Sequence, residues 1–597
     1  MAWTLIRGGT VVDGTGSPPF QADVCIRDGV IDAVGPDLSA PEGAQVMDAA
    51  GKLITPGFIN MHSHSDCSAA MYPNMESTLG QGITTEFAGH CGLGVAPVQH
   101  SWLYMFPEKK AFTKVMPEPP GGINPYNAYL VPTQRLREPF AQTYGQELDW
   151  TTYGQFLEHL RRVGLGANLA VVAGQAQIRL QAMGTDYHRD ATETEIAAME
   201  GALSEAMDGG ALGLSLGLDY EPGLFAGREE LLRLMKLVAA RGGIVTAHTR
   251  SRSHPYYGHA QSFLDGLREF LDLGRESGVR IHVSHIQNGY NVTPAHDGLI
   301  RAAVAKTLEE LDRARQAGVN VTWDVIPKYA YGPFHYPMAA SLFQPYVERC
   351  GGCAAFSRAL TLPDFRRQVV EEIRTGRHPS QGVFTRFDPQ ADPAWDTRYR
   401  FTRVQRAGCV GKTIREAAQG ADSLELLLDV LTEDPYAAMI SLGRRPEHTP
   451  DRDAFVARTE ATIGLDTWTL DYDAALSEGD LPLECGSPAT YEGMTVFLET
   501  ERDKGAAIEE TIRKLTGNAA RTLGLTDRGF VSQGLAADLL VLDWEHFSAR
   551  ENLADPRHGP QGLDYVLVAG QIAVDHGVHT HVRSGTVLGP EHRKGEN

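Results

Sequence analysis

Short runs in which apolar and polar residues alternate dominate the first fifty positions of the chain. Leu5 to Gly14, Ala22 to Ile26 and Val30 to Gly35 have strand character, and Gly8-Gly9 predicts a turn that divides the first of these runs into two strands. Asp28-Gly29, between the last two runs, is a hairpin signal. No stretch with helical spacing separates these runs. The pattern therefore predicts a small unit of antiparallel strands.

After position 51 the pattern changes to apolar strands that alternate with helical stretches. In the stretches Glu195 to Met207 and Arg228 to Arg241, apolar residues recur at spacings of three and four, as in an amphipathic helix. The predicted strands cover 53–61, 83–88, 168–173, 211–215, 243–248, 279–285, 319–325 and 460–466. Eight strands joined by crossover helices predict a (β/α)₈ TIM-like barrel, in which chemistry lies at the C-terminal ends of the strands.

Strand character returns near the C-terminus, at 538–543, 565–570 and 572–574. The simplest account is a small β-sandwich domain built from both termini. The predicted domains are 1–52 and 526–597, the two parts of the small β domain, and 53–525, the barrel, with long loop insertions at about 95–150 and 329–458. Loops of that length are typical of lids and binding elements.

Composition restricts the partners and the compartment. The net charge of −21 argues against nucleic acid and anionic membranes, because both require a basic surface. We see no signal peptide and no apolar window long enough for a membrane span. Seven cysteines, an odd number, are typical of reduced thiols. We therefore expect a cytoplasmic protein with a small-molecule partner, and the sequence leaves open whether it forms a homo-oligomer.

The first predicted barrel strand ends in His62-Ser63-His64. Residues i and i+2 of a strand point to the same side, so both imidazoles can face one metal ion. Taken alone, the motif is more often a pair of surface histidines where a strand meets its loop, because so short a pattern frequently occurs by chance.

Four further residues occupy the equivalent position at the ends of other predicted strands. They are Cys91 after strand two, His248 at the end of strand five, His285 at the end of strand six and Asp466 at the end of strand eight. Imidazole, thiolate and carboxylate ligands that meet at one barrel mouth favour a borderline-soft metal, and zinc fits best.

The same residues, with segments along most of the chain, resemble the amidohydrolase superfamily and, within it, the N-acyl-D-amino-acid deacylase (D-aminoacylase) family. The matching segments are Pro56 to His64, Gly82 to Thr85, His90 to Gly92, Ala96-Pro97, Trp150 to Arg179, Gly210 to Tyr220, Leu515 to Ala520, and Arg528 to Asp538. The family assignment depends mainly on Cys91 and the strand-four segment.

The resemblance implies a ligand arrangement. Many two-metal amidohydrolases use a carboxylated lysine on strand four, but the segment from Ala211 to Tyr220 contains no lysine. By resemblance, the thiolate of Cys91 replaces it. The tight zinc ion is then held by Cys91, His248 and His285, whereas His62, His64 and Asp466 line a weaker or empty second site. Asp466 is the expected general acid and base for hydrolysis of an amide.

Several departures from the family concern substrate binding. Ala489 stands where the family carries an arginine that grips the substrate carboxylate, and alanine cannot replace that bidentate contact. This leaves open whether Arg250 or Lys328 binds such a carboxylate, or whether the substrate lacks one. The substrate-binding candidates are Arg250, Gln287, Lys328, Tyr329 and Tyr491.

The predicted function is zinc-dependent hydrolysis of a linear N-acyl amide, such as an N-acyl-D-amino acid. A cyclic amide, imide or lactone hydrolase of the same superfamily is the nearest alternative, and a non-catalytic barrel that serves as a binding scaffold is another. One further motif, Gly213-Leu214-Ser215-Leu216-Gly217, matches the Gly-x-Ser-x-Gly pattern of a nucleophile elbow. No clear helix follows it, so we interpret it as a close-packed barrel strand.

Overall fold

The structure is a computed structural model. It describes residues 3–103, 130–219, 221–250, 263–286, 296–327, 339–377, 389, 393–441, 450–474, 477–478, 481–482, 488–552 and 556–593.

Strands from both ends of the chain form one nine-stranded sheet. They are Trp3–Val11, Phe20–Arg27, Val30–Gly35, Gln45–Asp48, Leu53–Pro56, Leu539–Leu542, Leu563–Val568, Gln571–Asp575 and Val578–His579. The N-terminal and C-terminal groups join where Leu53–Pro56 pairs antiparallel with Leu539–Leu542. Alternate residues of these strands, including Ile6, Val24 and Leu567, form a separate buried core. The two chain ends thus share one β-rich domain, as expected, and its form as a sandwich stays a prediction. The predicted turn at Gly8-Gly9 is wrong, because Trp3–Val11 is one strand whose register merely shifts between Ile6 and Gly9.

Eight further strands form a closed parallel barrel, as predicted. In order they are Phe58–Ser63, Ile83–Ala88, Asn168–Val171 continued by Ala173–Gly174, Gly213–Gly217, Ile244–His248, Arg280–Val283, Val321–Val325 and Thr462–Ile463. The ring closes between the last strand and the first, where the Asp466 amide donates to the His62 carbonyl at 2.9 Å. A β-bridge between Ser63 and Thr467 lies next to that bond. The (β/α)₈ barrel is confirmed.

One predicted strand, 53–61, is two strands that belong to different sheets. Leu53–Pro56 lies in the nine-stranded sheet and Phe58–Ser63 in the barrel. The amide of Gly57 donates to Asp538 at 2.8 Å and the next amide, of Phe58, donates to Gly82 at 2.9 Å, so the chain changes sheets within one residue. Glycine is required at position 57 because a Cβ atom there would overlap the Thr84 side chain. The domain boundaries at residues 52 and 525 stay a prediction.

Helices cover the barrel, and several begin with strong caps. Among the described residues, the helices from the N-terminus to strand seven are Glu76–Leu79, Thr133–Tyr144, Tyr153–Val163, Gln175–Met183, Glu193–Asp208, Arg228–Ala240, Phe263–Ser277 and Asp297–Gln316. After strand eight come Ala489–Asp503, Ile508–Leu515 and Gly517–Leu523. In Glu193–Asp208 the Thr192 side chain accepts from the Glu195 amide and the Glu195 side chain returns to Thr192, a capping box. Its apolar positions Ile196, Met199 and Leu203 are buried, as the spacing predicts.

A second helical unit lies between barrel strands seven and eight. It contains Gln344–Cys350, Cys353–Leu360, Pro363–Arg374, Ile414–Ala418 and Ser423–Glu433, with Pro450–Val456 after it. These elements bury their own cluster of side chains, in which Phe343, Phe356 and Leu427 are fully covered. None of the helices in the described ranges is both long and apolar enough to cross a membrane.

Candidate metal centre

The centre begins with the loop that follows barrel strand two. Cys91 has a φ of +60°, a left-handed conformation that is costly for a residue with a side chain. Gly89 and Gly92 on either side have φ values of +86° and +72°, so the backbone reverses within four residues. This turn places the Cys91 thiol at the mouth of the barrel, where it is 3% exposed.

Three imidazole nitrogens surround the Cys91 sulfur. The Sγ atom lies 3.4 Å from His62 Nε2, 3.6 Å from His285 Nε2 and 4.0 Å from His248 Nδ1. The structure thus brings together the predicted ligands in two groups of potential metal donors that share the thiol. One group is Cys91, His248 and His285, and the other is His62, His64, Cys91 and Asp466. In each group the donor atoms all lie within 4.8 Å of one another.

These separations fit a zinc ion. A tetrahedral zinc with bonds of about 2.3 Å to sulfur and about 2.0 Å to nitrogen requires about 3.5 Å between the two ligand atoms. The three sulfur–nitrogen distances lie close to that value, and every donor is buried. The donor set also fits, because thiolate and imidazole together favour zinc over the harder divalent cations.

Asp466 lies beside both histidines of the first strand. Its Oδ1 atom is 3.2 Å from His62 Nε2 and 3.1 Å from His64 Nε2. Its φ of +56° is again left-handed, and the bond from its amide to the His62 carbonyl fixes the turn. Burial alone would raise the pKa of Asp466, but the neighbouring histidines hold that pKa well below its usual range. The carboxylate is therefore ionised at neutral pH.

The electrostatics of the cluster favour a cation. Burial would raise the pKa of the Cys91 thiol, but His62, His248 and His285 together hold it well below the usual value. Burial lowers the pKa of His64 and His248, yet anionic partners outweigh it and raise those values to about 9 and about 10. Protons thus gather on the histidines because the thiolate and the carboxylates carry excess negative charge. A bound metal cation would take the place of those protons.

Two buried aspartates lie against the candidate ligand histidines. Asp324, on strand seven, accepts the His285 amide at 2.9 Å and lies 3.4 Å from His62 Nδ1. Asp219, two residues after strand four, lies 3.3 Å from His248 Nε2. Such contacts fix the ring orientation and tautomer of metal-ligating histidines.

Sequence reasoning missed both aspartates, although they occupy the same part of the barrel as the predicted ligands. It also missed His90, which is fully buried against the His62 ring with 4.1 Å between the ring centroids. Burial, reinforced by the charge of His62, lowers the pKa of His90 well below its usual value. His90 is therefore a neutral packing partner of a ligand. Its position directly before Cys91 was the available signal.

Two of the predicted substrate-binding residues lie within the described ranges. The Arg250 guanidinium is buried and donates to the carbonyls of Leu224 and Ala226 at 2.6 Å each. It also donates to Glu269 at 3.1 Å. These bonds favour a role in holding the 223–226 turn over direct contact with a substrate.

Tyr491 is fully buried on the helix Ala489–Asp503, with its ring 5.8 Å from that of Tyr472. It belongs to a cluster with Trp468 and Leu470, which follow Asp466 closely in the chain. Its role in substrate binding stays a prediction. Gln287, Lys328 and Tyr329 lie outside the described residues.

Comparison with known proteins agrees with this geometry. The sequence model of the amidohydrolase family matches residues 45–322. A D-aminoacylase from Alcaligenes xylosoxydans xylosoxydans is 30% identical, with 98% of this chain and 97% of that protein aligned. The N-acyl-D-glutamate deacylase of the same organism is 27% identical, with 98% and 96% aligned.

Solved structures share the fold. A D-aminoacylase structure has a TM-score of 0.67 at 24% identity and covers 98% of this chain and 99% of its own. The N-acyl-D-glutamate deacylase of Bordetella bronchiseptica, solved with zinc and a phosphonate inhibitor, has a TM-score of 0.66 at 24% identity, with 98% and 100% covered.

A barrel with buried histidine, cysteine and aspartate donors at its mouth defines a metal-dependent amidohydrolase, a hydrolase of carbon–nitrogen bonds other than peptide bonds. Within that class the near full-length match decides the subdivision. The chain belongs to the N-acyl-D-amino-acid deacylase (D-aminoacylase) family.

Proposed function

We propose that this chain hydrolyses a linear N-acyl amide, with an N-acyl-D-amino acid or a related compound as the substrate class. The observation that carries the proposal is that Asp466 lies with His62 and His64 in one donor group, and that a second donor group shares its thiol. The relatives named for N-acyl-D-glutamate and for other acyl-D-amino acids support the choice of a linear substrate.

The proposed cofactor is zinc. Cys91, His248 and His285 would hold a tight ion, and His62, His64 and Asp466 would line a weaker second site. The two groups of donors that share the Cys91 thiol support an arrangement with two adjacent ions, and the presence of zinc in the Bordetella bronchiseptica relative supports the choice of metal. When bound, zinc supplies Lewis acidity, which lowers the pKa of water and polarises a carbonyl oxygen.

Asp466 would act as the general base and then as the general acid. Its carboxylate lies at the mouth of the barrel in one of the two donor groups, where it can accept a proton from the attacking water. The same carboxyl would deliver that proton to the leaving nitrogen as the C–N bond breaks. His62 and His64 position this carboxylate through contacts of 3.2 and 3.1 Å.

Recognition of a substrate carboxylate would differ from that of the family. Ala489 is fully buried at the first position of its helix and offers no donor from its side chain. Arg250 already donates to two carbonyls and to Glu269. Of the two cations that the sequence offers for this task, Lys328 is therefore the better candidate.

The experiment that tests the proposal combines metal analysis with one variant and one matched control. Wild-type protein should contain zinc after exhaustive dialysis, and Cys91→Ala should lose both the zinc and the amidase activity. Cys25→Ala removes another buried thiol, in the nine-stranded sheet, and should change neither. The mechanism would be refuted if wild-type protein contained no zinc and the Cys91→Ala variant kept full activity.

A substrate panel distinguishes the remaining possibilities. We expect turnover of N-acetyl-D-amino acids above that of their L-isomers and of cyclic imides. Turnover of uncharged amides alone would show that the substrate has no carboxylate, in agreement with Ala489. Turnover of cyclic imides alone would favour the cyclic-amide alternative, and turnover of no amide would favour a binding scaffold. For the compartment we propose the cytoplasm, supported by the six described cysteines, none of which forms a disulfide.

A further inference from the structure

The serine of the Gly-Leu-Ser-Leu-Gly segment lies in barrel strand four, Gly213–Gly217, and its side chain is fully buried. It does not stand on an exposed turn between a strand and a helix, which a nucleophile elbow requires. Gly213 lies so close to the next strand that a Cβ atom there would overlap the Ile244 carbonyl. The segment is therefore close-packed strand, and its hydroxyl has another role.

Ser215 bonds to the Cys91 loop on both sides of the cysteine. Its hydroxyl donates to the carbonyl of Gly89 and accepts the amide of Gly92 at 3.0 Å. One side chain thus satisfies two backbone groups in the loop that carries the shared thiol. A donor and an acceptor on the same hydroxyl also strengthen each other.

The loop needs such an anchor because its conformation is unfavourable. Cys91 is left-handed, at a cost of about 1 kcal/mol or more for a residue with a side chain. At Gly92 a Cβ atom would lie 2.6 Å from the amide nitrogen of Gly217, so the loop rests directly on strand four. The strain persists only where the surroundings fix it.

We propose that Ser215 is a positioning residue for the metal centre. By binding both Gly89 and Gly92, Ser215 holds the Cys91 sulfur at the point that the two donor groups share. The clamp fixes the point from which the thiolate lies 3.4 to 4.0 Å from three imidazole nitrogens. Loss of the hydroxyl leaves a buried carbonyl and a buried amide without this partner. The loop then relaxes, and the sulfur moves away from the histidines. The proposal rests on the proposed metal site.

The test uses Ser215→Ala, with Thr246→Val as the matched control. Thr246 lies directly beside Ser215 in the register of strands four and five and is equally buried. Its hydroxyl makes no hydrogen bond to any described residue. Both substitutions therefore remove one buried hydroxyl at the same level of the barrel, but only one removes the clamp. Ser215→Thr, which keeps the hydroxyl, is the second variant.

The readouts are zinc affinity, by competition with a chromophoric chelator, and the near-ultraviolet thiolate-to-metal band of the cobalt(II)-substituted protein. Ser215→Ala should bind zinc about 10- to 100-fold more weakly, the range typical for partners of metal ligands, and its cobalt–thiolate band should shift or weaken. Thr246→Val and Ser215→Thr should keep the wild-type affinity and band.

Three results would overturn the proposal. The first is a Ser215→Ala protein with wild-type affinity and an unchanged cobalt band. The second is an equal loss of affinity in Thr246→Val. The third is a Ser215→Ala protein that is destabilised equally with and without metal, which would make the serine a purely structural residue. A wild-type protein that binds neither zinc nor cobalt would instead refute the proposed function, so the two failures are distinguishable.

Discussion

Asp324 is the residue at which a single substitution tests the electrostatic design of the metal centre. Its Oδ1 atom accepts the His285 amide at 2.9 Å. Its Oδ2 atom lies 3.0 Å from His282 Nε2 and 3.4 Å from His62 Nδ1. Burial alone would raise the pKa of Asp324, but the charge of His62 and the bond to His282 hold it well below its usual range. The carboxylate therefore serves two imidazoles at once.

The change Asp324→Asn keeps the shape of the side chain and removes its charge. The amide oxygen can still accept from His285, but the amide nitrogen then replaces the acceptor that faces His62 and His282. His62 can bind a metal through Nε2 only while Nδ1 carries the proton, and that N–H loses its acceptor. One hydrogen bond to a charged group contributes about 1.5–3 kcal/mol, which corresponds to about 10- to 150-fold in affinity.

The assay is zinc affinity of the metal-free proteins, by chelator competition at pH 7.5, with Asp23→Asn as the control. Asp23 is also a buried aspartate and accepts the amides of Gly8 and Leu38 at 2.7 and 2.9 Å, but it lies in the nine-stranded sheet. Asp23→Asn should lower the melting temperature and leave zinc affinity unchanged. Zinc affinity of Asp324→Asn within twofold of wild type would refute the reasoning about His62.

Three further predictions concern groups around the barrel. Burial raises the pKa of Glu86 to about 7, so the native state binds this proton more tightly than the unfolded state does. The free energy of unfolding therefore falls as the pH rises from about 4.5 through 7. Glu86→Gln should therefore be more stable than wild type by about 1–3 kcal/mol at pH 8 and about equal near pH 4.5, measured by urea unfolding. Arg250→Lys should lower the free energy of unfolding by about 1–3 kcal/mol without changing zinc content, because one ammonium cannot replace these three guanidinium bonds. A raised KM at unchanged stability would instead support contact between Arg250 and the substrate. Arg179→Met should cost about 3–5 kcal/mol, because it leaves the carboxylate of Glu230 buried without its cation; a loss below 1 kcal/mol would contradict this.

The barrel and the position of the site were predictable because both follow from strand order. Periodicity marked the strands, and the C-terminal ends of parallel strands in a closed barrel meet at one mouth. His62, Cys91 and Asp466 are far apart in sequence, yet the rule places them together, and the structure does so. The same rule applied to Asp324 and Asp219 would have found the two aspartates that hold the ligand histidines.

Other features could not be predicted, because they depend on the register between neighbouring strands. The change of sheets at Gly57 is set by which carbonyl each successive amide meets, Asp538 or Gly82. The contact of Ser215 with the Cys91 loop depends on how strand four lies against that loop. One sequence provides the residues for such contacts but not the partner strand that each one faces.

The backbone at the site explains why its residues act together. Cys91, His285 and Asp466 have φ values of +60°, +35° and +56°, so three residues with side chains occupy the left-handed region at the ends of three strands. Each costs about 1–3 kcal/mol, a cost that glycine would avoid. In each case a hydrogen bond fixes the turn: from Gly92 to Ser215, from the His285 amide to Asp324, and from the Asp466 amide to His62. The left-handed turn directs each donor inward across the mouth of the barrel. The chain therefore retains strained residues with candidate donor side chains where glycine would be more stable, and Ser215 and Asp324 accept the hydrogen bonds that fix two of these turns.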